Sequence, residues 1–427
     1  MSYSISVFSA WTSYGTWDAL KAWLQSKEGG SLRVVEPKES DLVLIRYTKG
    51  VSDFSLPHVS WCRSVVLNKK TLLVVSVAPP KAKKVDDAEN NASEYTSAEE
   101  FVDGSMMNIF RDATLGLVDV STRSRLGGKN QFYSGGPTFL SMLKDALVAG
   151  GKTDVSELLP STTDTNCFTS IVLQHSQNRV VKSITTPTVY VIHQGSVSAD
   201  GVVSIVEDPV QLVSYKTPLR YNLESILTNP TVKQWVVQQS QEHGYEWQGV
   251  VFKNGQGARW RIRSEVYETV RHLRGNDASL EERFARLRKS RTLEQYITFY
   301  SEDRQVMYDL EGVLRENTRR LHNLYVSVFI VRENPFHELP WPFKHHVSVL
   351  HNLYKDVLRP HGKKMNVEEV VRYVNRLDFK DTANLCKKFE APKKLIATLV
   401  PNTSVPDATC DAPTATCDAP VLDVPVE

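Results

Sequence analysis

Short apolar runs separated by turn residues fill the first 80 positions of the chain. DLVLIRY at 41–47, WCRSVVLN at 61–68 and TLLVVSVAPP at 71–80 are rich in β-branched residues, which favour strands. Between Trp17 and Gln25, apolar residues recur three or four positions apart, as they do on one face of an amphipathic helix. The pattern predicts strands interrupted by a single helix.

The alternation of apolar runs and polar turns continues to about residue 264. Residues 81–98 are polar and predict a surface loop, and helical spacing is found at 137–147 and 222–239. Within WQGVVFKNGQGARWRIRS, residues 247–264, the Asn254-Gly255 step is typical of a turn between two paired strands. Further strands are predicted at 105–110, 116–122, 168–174, 179–184, 188–194 and 201–206.

From about residue 278 the apolar spacing becomes three and four, which predicts a succession of amphipathic helices. The segment 399–427 is rich in proline and threonine and contains the repeat ATCDAP at 408–413 and 415–420. Such a composition cannot form a packed core, so we expect a disordered tail. The predicted organisation is a strand-rich domain at 1–275, a helical domain at 276–398 and this tail.

Composition places the chain among globular proteins. Its 427 residues are 41% hydrophobic and 23% charged, enough for two or three domains. The net charge is only +2, so any basic binding surface must be local. The five cysteines lack Cys-x-x-Cys spacing and predict neither a zinc site nor a disulfide framework. With no apolar run of about 18 residues and no signal-peptide pattern, we expect a cytoplasmic protein without membrane partners.

The Asp103-Gly104 step lies in EEFVDGSMMNIF, residues 99–110, and an isolated Asp-Gly usually marks only a turn. Here three other segments accompany it in a fixed order. WCRSVVLNKKTLLVVSVAPPKA at 61–82 precedes it, and FTSIVLQHSQNRVV at 168–181 and EWQGVVFKNGQGARWRIRS at 246–264 follow. Together the four segments resemble the motifs of phage-type RNA ligases, which are covalent nucleotidyltransferases, and most of all the ligase-like proteins of large double-stranded DNA viruses.

This resemblance covers roughly residues 40–395 and carries several implications. It implies an α+β nucleotidyltransferase fold (ATP-grasp-like ligase fold) of antiparallel sheets and helices, with a helical C-terminal domain. It implies ATP and Mg²⁺ as cofactors if any activity remains. RNA or another single-stranded nucleic acid is the implied partner, and other viral proteins are expected to bind through the helical domain, in host cytoplasm or virion.

Several positions of the family's motifs are retained. Arg63 and Lys81 stand where the family carries the arginine of an Arg-Gly-x-x-Phe strand and the lysine of a Pro-Phe-x-Lys segment. Asn178 and Arg179 match the Asn-Arg pair of the third motif, and Gly249 matches the glycine of the fourth. The resemblance thus implies nucleotide or phosphate binding by Arg63, Lys81, Asn178, Arg179, Gln248, Lys253, Arg261 and Arg263.

Other positions depart from the pattern, and the departures remove chemistry. Phe101 stands two residues before Asp103, where the family places the lysine that attacks the α-phosphorus of ATP. A phenyl ring has no lone pair with which to form a phosphoramidate. Val172 and Gln248 stand where the third and fourth motifs carry metal-organising glutamates. Arg261-Ile262-Arg263 replaces Lys-x-Lys in the fifth motif, which preserves phosphate binding more than turnover.

Three functional hypotheses follow. The first is a degenerate ligase-like protein that binds nucleotide or RNA, or serves as a scaffold, without adenylylating itself. The second is an active ATP-dependent RNA ligase that uses a displaced lysine, Lys81 or Lys253. The third is a structural virion component in which the cleft is packed shut. The first is favoured because Phe101, Val172 and Gln248 are lost together while the cationic positions remain.

A group of histidines and a cationic segment also carry candidate binding chemistry. His345, His346, His351 and His361 lack the helical spacing of a zinc pair, and no metal site is predicted. The segment 259–291 is the most cationic part of the chain, yet interspersed acids make much of it typical of a solvated helix face. Trp260 and Tyr267 add the aromatic surfaces that single-stranded nucleic acids favour.

Overall fold

The computed structural model describes five segments of the chain, 2–84, 89–162, 164–207, 215–229 and 231–389. The described residues form an α+β structure of mostly antiparallel sheets followed by a helical C-terminal region, as the sequence predicted. The chain divides into two compact units, Met1–Leu310 and Glu311–Glu427. The tail predicted at 399–427 lies outside the described residues.

An antiparallel sheet of four strands forms early in the chain, in the order β2-β3-β4-β5. Its strands are β2 (Arg33–Val35), β3 (Leu42–Arg46), β4 (Val65–Asn68) and β5 (Val74–Val77). Helix α1 (Trp17–Gln25) has the predicted bounds and begins at Thr16, whose hydroxyl accepts from the Ala19 amide. A short helix, α2 (Pro57–Trp61), ends at Trp61, which is the first residue of the apolar run predicted at 61–68.

A six-stranded sheet lies at the centre of the first unit, in the order β1-β12-β11-β10-β8-β9. Its strands are β1 (Ser2–Ile5), β8 (Ser105–Asp112), β9 (Leu117–Thr122), β10 (Asn166–Gln174), β11 (Thr188–Val197) and β12 (Val203–Val206). Strand β10 is buried at every position because both faces of the sheet are covered. Phe110 and Phe168 pack with the first sheet, whereas Met107 and Ile171 pack with α3 (Phe139–Ala149).

A five-stranded sheet completes the first unit, in the order β13-β7-β14-β15-β6. Its strands are β6 (Lys83–Lys84), β7 (Ser97–Glu100), β13 (Arg220–Tyr221), β14 (Gly249–Lys253) and β15 (Arg259–Arg263). The predicted turn joins β14 to β15, and the Asn254 side-chain oxygen accepts from the amides of Gln256 and Ala258. Aromatic rings of Tyr95, Phe252 and Trp260 pack beneath this sheet.

The helices named next lie after β13 in the sequence. Those of the first unit are α4 (Leu223–Leu227), α5 (Val232–His243), α6 (Glu265–Arg274), α7 (Leu280–Ser290) and α8 (Leu293–Phe299). The division between units falls within α9 (Arg304–Tyr325). The second unit continues with α10 (Phe343–Leu353), α11 (Val367–Arg376) and α12 (Phe379–Leu385). Within the described ranges, no helix is both long and apolar enough to cross a bilayer.

Several sequence expectations differ from the structure. The run RVVKSI at 179–184 was predicted as a strand and is irregular, because the Val181 and Lys182 amides donate to the Asp103 carboxylate. The helix expected over 222–239 is two helices, α4 and α5, and the polar segment 81–98 contributes to β6 and β7. The predicted domain boundaries after residues 275 and 398 stay predictions.

Candidate functional site

The Phe101–Gly104 loop joins β7 of the five-stranded sheet to β8 of the six-stranded sheet. The chain therefore changes sheet at the segment that the sequence singled out. The Phe101 amide donates to the carbonyl of Gly249 at 2.9 Å, which holds the start of the loop against β14. The loop is thus fixed at the junction of two sheets, where a cavity can open between them.

The Asp103 carboxylate is the anchor of this loop. One oxygen accepts from the amides of Val181 and Lys182 at 3.0 and 2.9 Å, and the other accepts from the Tyr267 hydroxyl at 2.7 Å. Burial, and then the charge of Asp103, raise the pKa of Tyr267 far above its usual range. Because three donors already satisfy this buried carboxylate, its role is to hold the loop rather than to bind a metal ion.

Gly104 is required by a close approach of two backbones. Its φ is +146°, and a Cβ there would lie 2.5 Å from the carbonyl oxygen of Leu173 and 2.7 Å from a methyl of Val172. Asn178 then fixes the first residue of β8, since its amide nitrogen donates to the Ser105 hydroxyl at 2.8 Å. The Asp-Gly step is therefore built into the packing of β8 against β10.

Gln248 holds the loop from the opposite side. In the amide orientation that satisfies every neighbour, its nitrogen donates to the carbonyls of Phe101 and Val102 at 3.2 and 3.1 Å. Its oxygen then accepts from Arg263 Nε at 3.2 Å. A glutamate would turn one carboxylate oxygen toward the carbonyls of Phe101 and Val102, which cannot donate to it, so the amide at this position suits the conformation of this loop.

A cavity of about 370 Å³ opens beside the loop. Phe101 to Gly104 form part of its wall, and Val102, Val172 and Ile192 form an apolar cluster against it. Basic side chains dominate the rest of the lining, namely Lys49, Arg63, Lys81, Arg123, Arg259, Arg261, Arg263, Arg271 and Arg274. A near-neutral chain thus concentrates positive charge in one place, as an anion-binding site requires.

The basic side chains of the cavity perturb one another. Burial, followed by the charges of Arg123 and Arg261, lowers the pKa of Lys49. Burial and neighbouring guanidinium groups also lower the pKa of Arg261, and they lower the pKa of Arg63 to about 10. Like charges that depress one another's pKa values are held together at a cost in free energy, which a bound anion would relieve.

Lys81 follows β5, at the edge of the four-stranded sheet, and faces the cavity. Its backbone amide donates to the Ser60 carbonyl at 3.1 Å, and its ammonium lies 3.7 Å from the centre of the Phe54 ring. Lys81 therefore lines the same cavity as Phe101.

Lys253 is placed elsewhere. Its side chain is 1% exposed, and its ammonium forms ion pairs with Glu99 at 2.7 Å and Glu207 at 2.9 Å. Arg259 also contacts Glu99, at 3.4 Å. An amine neutralised between two buried carboxylates is poorly placed to attack a phosphate. Lys253 does not itself line the cavity, although its partner Glu99 does.

Arg179 has a structural partner. Its guanidinium donates to both oxygens of Glu302, at 2.7 and 2.9 Å, and lies 4.6 Å from the centre of the Tyr300 ring. It lines a neighbouring cavity of about 370 Å³ that also includes Arg283. Arg63, Arg261 and Arg263 therefore meet Phe101 in one cavity, whereas Arg179 faces the next one.

Phe101 itself packs under a cation. The Arg263 guanidinium lies 5.2 Å from the centre of the Phe101 ring and donates to Glu268 at 2.9 Å. Arg263 is thus held over the Phe101 ring. A guanidinium and a phenyl ring at this point can contact a phosphate and a base, but they cannot form a phosphoramidate.

Sequence reasoning missed several basic residues of the cavity. Arg271 and Arg274 lie in the last turn of α6, within the basic run that was interpreted mainly as a solvated face. Lys49 and Arg123 follow β3 and β9, and nothing in their local sequence marks them as neighbours. Only the spacing of Arg271 and Arg274, three apart on one helix, offered a signal.

Residues of the segment 124–137 line the main cavity and two others. Phe132 lines the main cavity and a more open one of about 590 Å³, which is also lined by Arg125 and Lys129. The Phe132 and Tyr133 rings lie 4.8 Å apart, and the Arg274 guanidinium lies 4.6 Å from the Phe132 ring centre. Aromatic rings interleaved with cations are typical of surfaces that bind single strands.

The residues present do not fit the divalent metal that ligase chemistry implies. Val172 offers no ligand atom, and the Gln248 amide is taken up by backbone carbonyls and Arg263. Glu99 is paired with Lys253 and Arg259. In the part of the chain that the structure describes, no three His, Cys, Asp or Glu side chains are placed to share an ion.

Comparison with known proteins gives distant structural likenesses. Neither a protein-family model nor a curated protein matches this chain. An archaeal ATP-dependent RNA ligase is similar over 84% of this chain and 82% of its own, at 11% identity and a TM-score of 0.37. Two mutant structures of Naegleria gruberi RNA ligase are also similar.

The first Naegleria gruberi structure contains ATP and Mn and is similar over 45% of this chain and 57% of its own, at 13% identity and a TM-score of 0.25. The second, without ligand, is similar over 55% and 75%, at 12% identity and a TM-score of 0.29. Likenesses with TM-scores this low assign neither a ligand nor an activity to this chain.

Proposed function

We propose that this chain binds a nucleotide, or the phosphorylated end of a single-stranded RNA, in the basic cavity and does not form a covalent adduct with AMP. One observation carries the proposal. The cavity gathers nine basic side chains around a loop on which Phe101 occupies the position of the family's lysine. The arrangement suits the binding of phosphate groups and lacks, on that loop, an amine to attack them.

The retained arginines suit this role. Arg261 and Arg263 lie on β15 and line the cavity from one side, and Arg63 lines it from the four-stranded sheet. Guanidinium groups bind phosphate through two parallel hydrogen bonds and keep their charge at any physiological pH. An open cavity of about 370 Å³ also supports binding over a cleft that is packed shut.

A single strand can continue from the cavity across Phe132. Base stacking on Phe132, together with phosphate contacts to Arg125 and Lys129, would extend the site by nucleotides beyond the first. We therefore expect Phe132→Ala to weaken binding of a short oligonucleotide by roughly three- to tenfold. Binding of a mononucleotide is expected to change much less, and equal losses for both ligands would contradict a path across Phe132.

Binding in the cavity is tested with one arginine variant and a matched control. Fluorescence anisotropy would measure the affinity of labelled ATP and of a labelled 5′-phosphorylated oligonucleotide for the intact chain. Arg261→Gln removes a charge from the cavity and is expected to weaken both ligands by about tenfold. Arg315→Gln removes an exposed charge from the second unit and should leave both affinities unchanged. Equal effects of the two variants would refute binding in the cavity.

A second candidate function is favoured by the position of Lys81. Because Lys81 lines the cavity, it is the displaced lysine that the structure supports, whereas Lys253 is held by two carboxylates. An active ligase would then carry AMP on Lys81. A labelled adduct that is formed by the natural chain and lost in Lys81→Met would support this alternative over the first proposal.

The viral origin, the viral partner proteins and the cytoplasmic location implied by the resemblance remain predictions. So does the assignment of the helical residues to partner binding.

A further inference from the structure

Most of the nine basic side chains that line the main cavity have no acidic partner in the described part of the chain. Arg259 pairs with Glu99, and Arg263 pairs with Glu268. No ion pair with a described residue is formed by the other seven basic side chains of the lining, namely Lys49, Arg63, Lys81, Arg123, Arg261, Arg271 and Arg274. The set thus exceeds what the neighbouring carboxylates can neutralise.

Individual nitrogen atoms in the lining also lack acceptors. Arg123 Nε and Arg259 Nη1 are buried and find no acceptor among the described residues. Leaving a buried donor unpaired costs free energy, because the donor has lost its hydrogen bonds to water. The oxygens of a phosphate group are the acceptors that would satisfy such donors, and they would neutralise the surrounding charge as well.

Two of the three acidic side chains in the same lining are already held by partners. Asp103 accepts three hydrogen bonds, and Glu99 is held by Lys253 and Arg259. Glu100 lies near Tyr190 and Tyr221, where burial and then the Glu100 charge raise the pKa of each phenol. Mg²⁺ at phosphate sites is held by one or two free carboxylates together with water and phosphate oxygens.

We infer that the cavity binds the phosphates of its ligand directly, through guanidinium and ammonium groups, without a divalent cation. The inference rests on the proposed function and narrows it to the metal-free form of a polyphosphate, such as the triphosphate of a nucleotide or of an RNA 5′ end. Because Mg²⁺ withdraws negative charge from a triphosphate, it competes with the arginines instead of assisting them.

Isothermal titration of the intact chain with ATP, once with EDTA and once with excess Mg²⁺, tests this inference. The expected result is binding in EDTA that is weakened by Mg²⁺ roughly three- to tenfold, since two charges of the ligand are masked. Binding that requires Mg²⁺, or that Mg²⁺ strengthens, would overturn the inference and leave the proposed function standing. No binding of ATP or RNA in either buffer would overturn the proposed function and the inference with it.

Two further arms sharpen the result. Inorganic triphosphate and a 5′-triphosphate oligonucleotide, titrated in EDTA, distinguish recognition of the phosphates alone from recognition of nucleoside or strand. Lys49→Gln changes an exposed residue of the lining. This variant is expected to bind ATP several-fold more weakly in EDTA. The ratio between its affinities in EDTA and in Mg²⁺ should also be smaller than for the natural chain. The control Arg315→Gln should keep the affinities for ATP measured in EDTA and in Mg²⁺. An unchanged ratio of the two affinities in Lys49→Gln would count against direct contact between the phosphates and the cations of the cavity.

Discussion

At the scale of single residues, Gln248 and Asp103 explain why the Phe101–Gly104 loop keeps its shape. Gln248 donates to two carbonyls of the loop, which an ionised carboxylate could not do, and accepts from Arg263. Asp103 accepts from two amides and from Tyr267. The hydrogen bonds of these two side chains therefore hold the loop from both sides.

Gln248→Glu is expected to destabilise the protein at neutral pH by about 1–3 kcal/mol, because its carboxylate would face the carbonyls of Phe101 and Val102. The loss should shrink in acid, where a protonated carboxyl can donate. Urea unfolding at several pH values would measure it. Gln256→Glu, in an exposed turn, is the matched control, and equal stability of the two variants would contradict the assigned role of Gln248.

Asp103→Asn is expected to cost about 1–3 kcal/mol, since an amide can accept fewer of the three hydrogen bonds. The Val181 and Lys182 amides should then exchange with solvent faster. Hydrogen exchange followed by NMR or mass spectrometry checks this, with Asp200→Asn in an exposed turn as control. Unchanged protection of both amides would show that the carboxylate does not anchor this segment.

At the scale of elements, the sequence predicted what depends on local periodicity. Helix α1 has the predicted bounds, and the turn after β14 lies where Asn254-Gly255 indicated. The strand expected at 179–184 was wrong because its amides bond to a side chain 78 residues away in sequence, which no local pattern shows. Arg123 and Arg271 likewise reach the cavity only through the packing of distant elements.

The elements that carry basic side chains to the cavity predict that anion binding is coupled to proton binding. Burial and nearby cations lower the pKa of Lys49 in the free protein. The folded state therefore binds fewer protons than the unfolded state at pH values between the folded and unfolded pKa of Lys49. The free energy of unfolding rises as pH rises through this interval. A bound phosphate should raise this pKa and cause proton uptake. Calorimetric titration in mildly alkaline buffers of different ionisation enthalpy measures the uptake, and a net release of protons would contradict it.

At the scale of the whole molecule, a net charge of +2 conceals the local field of the cavity. Binding of RNA should therefore weaken steeply with salt even though the chain is nearly neutral. Arg261→Gln is expected to reduce the slope of log K against log salt by about one, whereas Arg315→Gln should leave it unchanged. Affinities measured over a series of salt concentrations check this, and a slope insensitive to Arg261 would place the strand elsewhere.

The claim that joins these scales is that the chain binds ATP and does not become adenylylated. Incubation with α-labelled ATP and Mg²⁺ or Mn²⁺, with the protein then divided between native filter binding and denaturing gels, tests it most directly. We predict label retained on the native filter and no acid-labile, base-stable adduct on the gel, because Phe101 offers no amine at the loop. A labelled, acid-labile and base-stable protein band would contradict the account.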